Sequence, residues 1–182
     1  MVILASSSPR RTEILTNANI LHQVVPSSCE EIVEINLKPF EVVESLSYQK
    51  AKDVSAKYPN DIVIGADTIV VINDQILGKP HSEEEAINML ESISDNIHQV
   101  ITGVTIIKND KVKTFHEITY VTVKKLSIEN IKEYIKEENV YDKAGSYAIQ
   151  GVFNKYIVDI KGEYHNVVGL PIERLKKELK EF

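Results

Sequence analysis

The sequence has little of several features that mark particular classes of protein. It contains one cysteine, Cys29, and no tryptophan among its 182 residues. A lone cysteine cannot form a disulfide within the chain, so we expect the cytoplasm as its compartment. No apolar run approaches the ~20 residues that a membrane-spanning helix needs, and no basic segment precedes the short apolar start. We therefore expect no membrane partner and no secretory signal.

Positive charge is also scarce. Lysine and arginine total 21 against 27 aspartate and glutamate residues, which gives a formal net charge of −6. Broad nucleic-acid-binding faces rest on clustered cations, so we expect no nucleic-acid partner. If the ligand is anionic, its cations must be concentrated locally or supplied as a metal ion. A homodimer is compatible with the sequence, which leaves the oligomeric state open.

Length and composition are typical of one globular domain over residues 1–182, with 43% hydrophobic and 26% charged residues. Strand-like and helix-like hydrophobic patterns alternate, which predicts an α/β fold with a mixed sheet flanked by helices. The predicted elements are strands 2–5 and 22–26, helix 39–57, strands 62–64 and 69–72, a hairpin of 100–107 with 112–123 turning at Asn109-Asp110, strands 147–149 and 156–160, and helices beginning after Ser8, Ser82, Ser127 and at Pro171.

The segment Ser6-Ser7-Ser8-Pro9-Arg10-Arg11 places two arginines in the first turn of a predicted helix. Ser8 suits the N-cap and Pro9 the first helical position. Arg10 and Arg11 then lie at the positive end of the helix dipole, which disfavours cations unless an anion is bound there. A polyphosphate would satisfy the guanidinium groups and the free backbone N–H groups together. The alternative is an ordinary capped helix whose arginines extend into solvent.

Asp67 is the strongest candidate for chemistry. It lies between two β-branched runs, in Ile64-Gly65-Ala66-Asp67-Thr68-Ile69, and we expect it at a break in the strand spanning 65–68. A carboxylate in such a place needs a partner. It is either a metal ligand or general base, or it accepts hydrogen bonds from local backbone N–H groups.

Three further segments carry weaker signals. Gly78-Lys79-Pro80 holds a lysine in an extended conformation before proline, although an ordinary surface lysine is the more common interpretation of the tripeptide alone. Gln150 lies between flexible residues, where its amide suits recognition of a base edge or an ordinary loop. Glu30-Glu31 suits either a metal site or a solvated acidic turn.

Together these residues resemble the successive motifs of the Maf family. The resemblance runs in order over nearly the whole chain. It rests on Ala5-Ser6-Ser7-Ser8-Pro9-Arg10-Arg11, Lys50-Ala51, Gly65-Ala66-Asp67-Thr68, Leu77-Gly78-Lys79-Pro80, the segment from Ala144 to Gly151, and Val168-Gly169-Leu170-Pro171. It implies an α/β fold like that of inosine-triphosphate pyrophosphatases, with a central cleft. The Ser-Pro-Arg-Arg, Ala-Asp-Thr and Ile-Gln-Gly forms resemble the branch that acts on dTTP and UTP.

The resemblance implies a metal-dependent nucleoside triphosphate pyrophosphatase, with roles in nucleotide-pool cleaning and cell-division arrest. Asp67 would be catalytic, and with Glu31 it would bind a divalent ion, Mg²⁺ or Mn²⁺. Glu30 departs from the aspartate usual in the family, so its role stays open. The residues implied in substrate binding are Ser7, Arg10, Arg11, Lys50, Thr68, Lys79 and Gln150.

Two other functions remain open from the sequence. A non-catalytic nucleotide-binding regulator of septum formation would keep the cations but would not need a carboxylate that activates water. A pyrophosphatase for modified or purine nucleotides would keep the chemistry and differ in base recognition.

Overall fold

A computed structural model describes residues 1–182. Its helices are α1 (Pro9–Asn17), α2 (Pro39–Ser55), α3 (Glu83–Ile93), α4 (Ile128–Glu137), α5 (Tyr164–Val168) and α6 (Ile172–Leu179). Its strands are β1 (Val2–Leu4), β2 (His22–Val24), β3 (Ile62–Ile72), β4 (Gln75–Leu77), β5 (Ile97–Lys108), β6 (Lys111–Val123) and β7 (Ile157–Lys161). None of the helices is both long enough and apolar enough to cross a bilayer.

All seven strands form one mixed sheet, in the order β2-β1-β3-β5-β6-β7 with β4 beside β3. β1 pairs in parallel with β2 and β3, and the other pairs are antiparallel. The predicted α/β class with a mixed sheet is confirmed. The hairpin of β5 and β6 turns at Asn109-Asp110 as predicted, and Asn109 takes the positive φ of 52° that tight hairpin turns favour.

The prediction of a break in the strand at 65–68 is wrong, because β3 is continuous through Asp67. Its ladder with β5 runs from Val63 to Val71 without a register shift. Position 65 of the strand is a glycine because the backbone of α2 packs so close that no side chain fits there. A Cβ added at Gly65 would come within 2.3 Å of the Ser47 carbonyl oxygen. Asp67 therefore extends from a rigid central strand rather than from a loop.

The prediction of a strand at 147–149 is also wrong. The chain there runs through turns, and Gly145 and Ser146 have positive φ values of 67° and 64°. These left-handed residues reverse the chain before it could pair with a neighbouring strand. The Gly145 amide instead donates to the Gly78 carbonyl at 3.0 Å, which ties this loop to the segment before Lys79.

The helix starts follow the sequence signals, with local differences. Pro9 begins α1 as expected, but the Ser8 hydroxyl makes no capping hydrogen bond. The Ser82 and Ser127 hydroxyls do accept from backbone amides at the starts of α3 and α4. Ile128, the first residue of α4, is 39% exposed, whereas Ile131 one turn later is buried.

The main core is a cluster of 28 buried residues that joins the sheet to α1, α3, α4 and α6. Two smaller clusters lie beneath α2. As a result α2 packs directly on β3 and β5, with Val43, Ala51 and Val54 inward. This packing places Lys50 at the edge of α2, next to the middle of β3.

Candidate active site

One cleft of about 400 Å³ opens beside β3, between the start of α1 and the loop that follows α4. Its volume lies in the range of small-molecule sites. Glu30 does not line this cleft, whereas every residue to which the family resemblance gives a role does: Ser7, Arg10, Arg11, Glu31, Lys50, Asp67, Thr68, Lys79 and Gln150. They come from six separate segments, which the sheet brings to one place.

Arg11 is anchored at the floor of the cleft rather than extended into solvent. Its Nε donates to the Gly169 carbonyl at 2.8 Å, Nη1 to the Ser6 hydroxyl at 3.0 Å and Nη2 to the Thr68 hydroxyl at 3.0 Å. A guanidinium has five N–H donors, so two remain for a ligand. Burial lowers the pKa of Arg11, and the Asp67 carboxylate opposes that effect. The side chain stays charged, since arginine does not deprotonate in proteins.

The serine that supports this arginine is Ser6, which sequence reasoning missed in favour of its neighbour Ser7. Ser6 is 8% exposed and accepts from both Arg11 and the Ser8 amide, at 3.0 and 3.3 Å. Ser7 is exposed and Arg10 partly exposed at the mouth of the cleft. No local signal distinguishes Ser6 from Ser7, because the choice depends on which hydroxyl faces the helix.

Lys50 joins the two carboxylates of the cleft. Its Nζ lies 2.6 Å from Asp67 Oδ1 and 3.0 Å from Glu31 Oε1. The Lys50 and Asp67 side chains are 15% and 14% exposed, and Glu31 is 50% exposed. The sequence suggested phosphate binding for Lys50, and here its ammonium neutralises part of the carboxylate charge.

These two carboxylates could provide oxygen ligands to a divalent ion. No group of three or more His, Cys, Asp or Glu side chains forms a metal-binding cluster. Mg²⁺ commonly binds through one or two carboxylates together with substrate phosphates, so Glu31 and Asp67 fit an ion that arrives with a phosphorylated ligand. They do not fit a cage built from protein ligands alone.

Lys79 and Gln150 stand on the rim of the cleft. Both are exposed, and neither side chain makes a hydrogen bond or ion pair within the chain. Their polar groups are therefore available to a ligand. Lys79 adds positive charge to the cleft, and Gln150 adds an amide that can both donate and accept.

Comparisons with known proteins identify the family of the chain. The family model described as Maf-like protein matches residues 1–182. The chain belongs to the Maf family. A protein of Bacillus cereus named dTTP/UTP pyrophosphatase is 48% identical over 181 residues, covering 100% of this chain and 89% of its own. One of the same name from Bacillus mycoides is 46% identical, covering 100% and 95%.

Among solved structures, the Ham1 protein of Staphylococcus aureus is similar in fold. It has a TM-score of 0.52 and 13% identity, and the match covers 99% of this chain and 98% of that one. The overall α/β architecture predicted for this Maf protein is thus found in a distant protein as well.

Sequence reasoning also missed a buried pair behind the cleft wall. His98, on β5, is 1% exposed, and its Nε2 lies 2.6 Å from the hydroxyl of Tyr147, which lines the cleft. Burial lowers the pKa of His98 from 6.5 to about 4. The residues around His98 give no sign of this pair, because Tyr147 is 49 residues away along the chain.

This histidine predicts a pH dependence of folding. His98 has a lower pKa folded than unfolded, so the unfolded chain binds more protons between pH 6.5 and 4. The free energy of unfolding keeps its full contribution from neutral, buried His98 above pH 6.5. As the pH falls towards 4, protonation of this histidine in the unfolded chain lowers the free energy of unfolding by about 3 kcal/mol. Urea unfolding at pH 7 and pH 4.5 measures it. His98→Phe should flatten the pH dependence, whereas substitution of the exposed His81 by glutamine should not.

Proposed function

We propose that this Maf protein hydrolyses dTTP and UTP between the α and β phosphates, giving the nucleoside monophosphate and pyrophosphate. The observation that carries the proposal is the cleft, in which an anchored arginine with two free N–H groups lies near the paired carboxylates of Asp67 and Glu31. The names of the Bacillus relatives support the same reaction and the same substrates.

The cations of the cleft supply the binding energy for a triphosphate. Arg11 offers two N–H groups in one plane, which suits two oxygens of a phosphate. Arg10 and Lys79 add charge at the rim, and Ser7 adds a hydroxyl beside the start of α1. Phosphoryl transfer requires mainly positioning and neutralisation of charge, and these groups provide both.

Asp67 is the group best placed to orient and deprotonate the attacking water. It extends from the continuous strand β3, so its position is fixed by the sheet. Lys50 holds one of its oxygens at 2.6 Å, which leaves the other oxygen free to accept a proton from water. Arg11 is close enough to Asp67 for their charges to interact.

A divalent ion, Mg²⁺ or Mn²⁺, would be held by Glu31 and Asp67 together with phosphate oxygens. When bound, it would neutralise negative charge on the triphosphate. Lys50 would then be released in part from the carboxylates, and its ammonium could contact a phosphate as the sequence suggested.

In the proposed reaction, the side chains of Gln150 and Thr68 select the base. The Gln150 amide can pair with the O4 and N3–H edge of thymine or uracil, and Thr68 lines the same cleft. Such pairing discriminates where the bound base excludes water, because a wrong base then leaves polar groups without a partner. We also propose a cytoplasmic location, on the basis of the single cysteine.

The function is tested by incubating the protein with dTTP, UTP, CTP, GTP and ATP in turn, with Mg²⁺ or Mn²⁺, and measuring monophosphate and pyrophosphate. Release of both products from dTTP and UTP in preference to purine nucleotides is the expected result. Binding without pyrophosphate release would favour a regulator instead. A preference for purine triphosphates would favour the pyrophosphatase of modified or purine nucleotides.

Lys79→Ala should weaken catalysis without unfolding the protein. The side chain is exposed and unpaired, so its loss costs little stability, while a charge-assisted hydrogen bond to phosphate is worth roughly 1.5 to 3 kcal/mol. We expect kcat/KM for UTP to fall by about tenfold or more. The exposed Lys132 of α4 provides a control, and Lys132→Ala should match the wild type. A decrease that followed the melting temperature would contradict a role for Lys79 in binding.

A further inference from the structure

A chain of hydrogen bonds runs from the cleft into the core. Arg11 Nη2 donates to Thr68 Oγ1 at 3.0 Å, and Thr68 Oγ1 lies 2.9 Å from Thr102 Oγ1. Thr102 Oγ1 in turn donates to the Asn166 carbonyl at 2.9 Å. Thr68 and Thr102 face each other in the ladder of β3 and β5, and Thr102 and Asn166 are fully buried.

The two ends of this chain set the direction of every hydrogen bond in it. A guanidinium can only donate and a carbonyl can only accept. Thr102 has one proton, and the Asn166 carbonyl receives it. Thr68 must therefore donate its own proton to Thr102, because the opposite arrangement would leave a buried carbonyl without a donor. Successive bonds in one direction also polarise and strengthen one another.

It follows that the Thr68 hydroxyl has nothing left to donate to a ligand. One lone pair accepts from Arg11, the proton goes to Thr102, and a single lone pair remains. Thr68 is partly exposed and lines the cleft, whereas Thr102 does not. The complementary ligand group at Thr68 is thus an N–H or O–H donor.

We propose that Thr102 is a positioning residue for base selection, which holds Thr68 as an acceptor for the N3–H of uracil or thymine. The inference rests on the proposed function and refines it. Cytosine has an unprotonated N3, so its lone pair would face the lone pair of Thr68. In this refinement the N3–H contact passes from Gln150 to Thr68, and the Gln150 amide donates to O4 alone. A glutamine amide can rotate to suit cytosine, whereas Thr68 cannot reverse without breaking a buried hydrogen bond.

The test compares UTP and CTP in wild type and in variants of Thr102. Thr102→Val keeps the shape but removes the acceptor, which frees the Thr68 proton to donate to cytosine. We expect the ratio of kcat/KM for UTP over CTP to fall about three- to tenfold. Thr102→Ser retains the hydroxyl and should keep the wild-type ratio. If the valine variant does not fold, Thr102→Cys, whose sulfur is a weak acceptor, should lower the ratio in the same direction.

Thr105→Val provides the matched control. Thr105 is a fully buried threonine of the same strand, bonded to the hydroxyls of Ser47 and Thr114 at 2.9 Å each, and it lies outside the cleft. Its loss should reduce stability and leave the nucleotide ratio unchanged. A Thr102→Val ratio within twofold of wild type, or an equal change in Thr105→Val, would overturn the proposal.

Calorimetric titration with UMP and CMP separates this inference from the proposed function. If the wild type does not hydrolyse UTP, the proposed function fails, and the ratio of UMP to CMP affinity still decides the role of Thr102. A wild-type preference for UMP that is reduced in Thr102→Val and retained in Thr102→Ser supports it. Equal affinities of the wild type for UMP and CMP would overturn it.

Discussion

Asp67→Asn is expected to lower turnover by about 10²-fold or more at saturating nucleotide and metal, the scale of a lost general base. Asparagine has nearly the same shape, so β3 and its ladder should be retained. It can still accept from Lys50 Nζ, now 2.6 Å from the carboxylate, but it cannot take a proton from water. Loss of charge beside Glu31 would weaken metal binding and add to the effect.

The measurement is single-turnover and steady-state release of pyrophosphate, with thermal unfolding run in parallel. Asp61→Asn makes the same chemical change outside the cleft, where Asp61 pairs with the N-terminal amine at 2.9 Å. This control should keep wild-type turnover. Wild-type turnover in Asp67→Asn with saturating metal would remove Asp67 from the mechanism.

Gly65→Ala is expected to destabilise the fold by at least about 3 kcal/mol and to abolish most activity. The added Cβ would lie 2.3 Å from the Ser47 carbonyl oxygen and 2.7 Å from the Ala51 amide nitrogen. These are backbone atoms of α2, so no side-chain rotation relieves the clash. The helix must move away from β3, and Lys50 moves with it.

Urea unfolding and pyrophosphate release measure the two effects. Gly78→Ala is the control for stability, because a Cβ at Gly78 would meet no atom within 4 Å and its φ is not positive. Its free energy of unfolding should lie within about 1 kcal/mol of the wild-type value. A Gly65→Ala protein with wild-type stability would show that α2 does not depend on close contact with β3.

Features set by neighbouring residues were predictable from the sequence. The turn at Asn109-Asp110 and the starts of α1, α3 and α4 all follow from side-chain chemistry within a few residues. The prediction of a break in the strand at Asp67 is wrong because the strand there depends on residues far away in the sequence. Gly65 and Asp67 both suggest a break when taken locally, but the Gly65 position is filled by a helix from another part of the chain.

The candidate site also has features that the sequence predicts and features that it does not. The motifs identified the residue types that phosphate and metal chemistry need, and the fold brings all of them to one cleft. Their partners were not predictable. Arg11 contacts Gly169 across 158 positions, and Lys50 reaches Asp67 across 17. His98 and Thr102 belong to no motif, and nothing within the first motif distinguishes Ser6 from Ser7, so only their contacts reveal these residues.

By itself, then, the sequence determined the α/β class, the local turns and helix starts, and the set of charged and polar groups available for a nucleotide. Tertiary structure alone decided that β3 is continuous, that Ser6 rather than Ser7 holds Arg11, and that the Thr68 proton is committed to Thr102. The physical reason is the distance along the chain between the groups that interact. Propensity and capping act between near neighbours, whereas the direction of a buried hydrogen bond depends on every group that packing brings within about 3 Å.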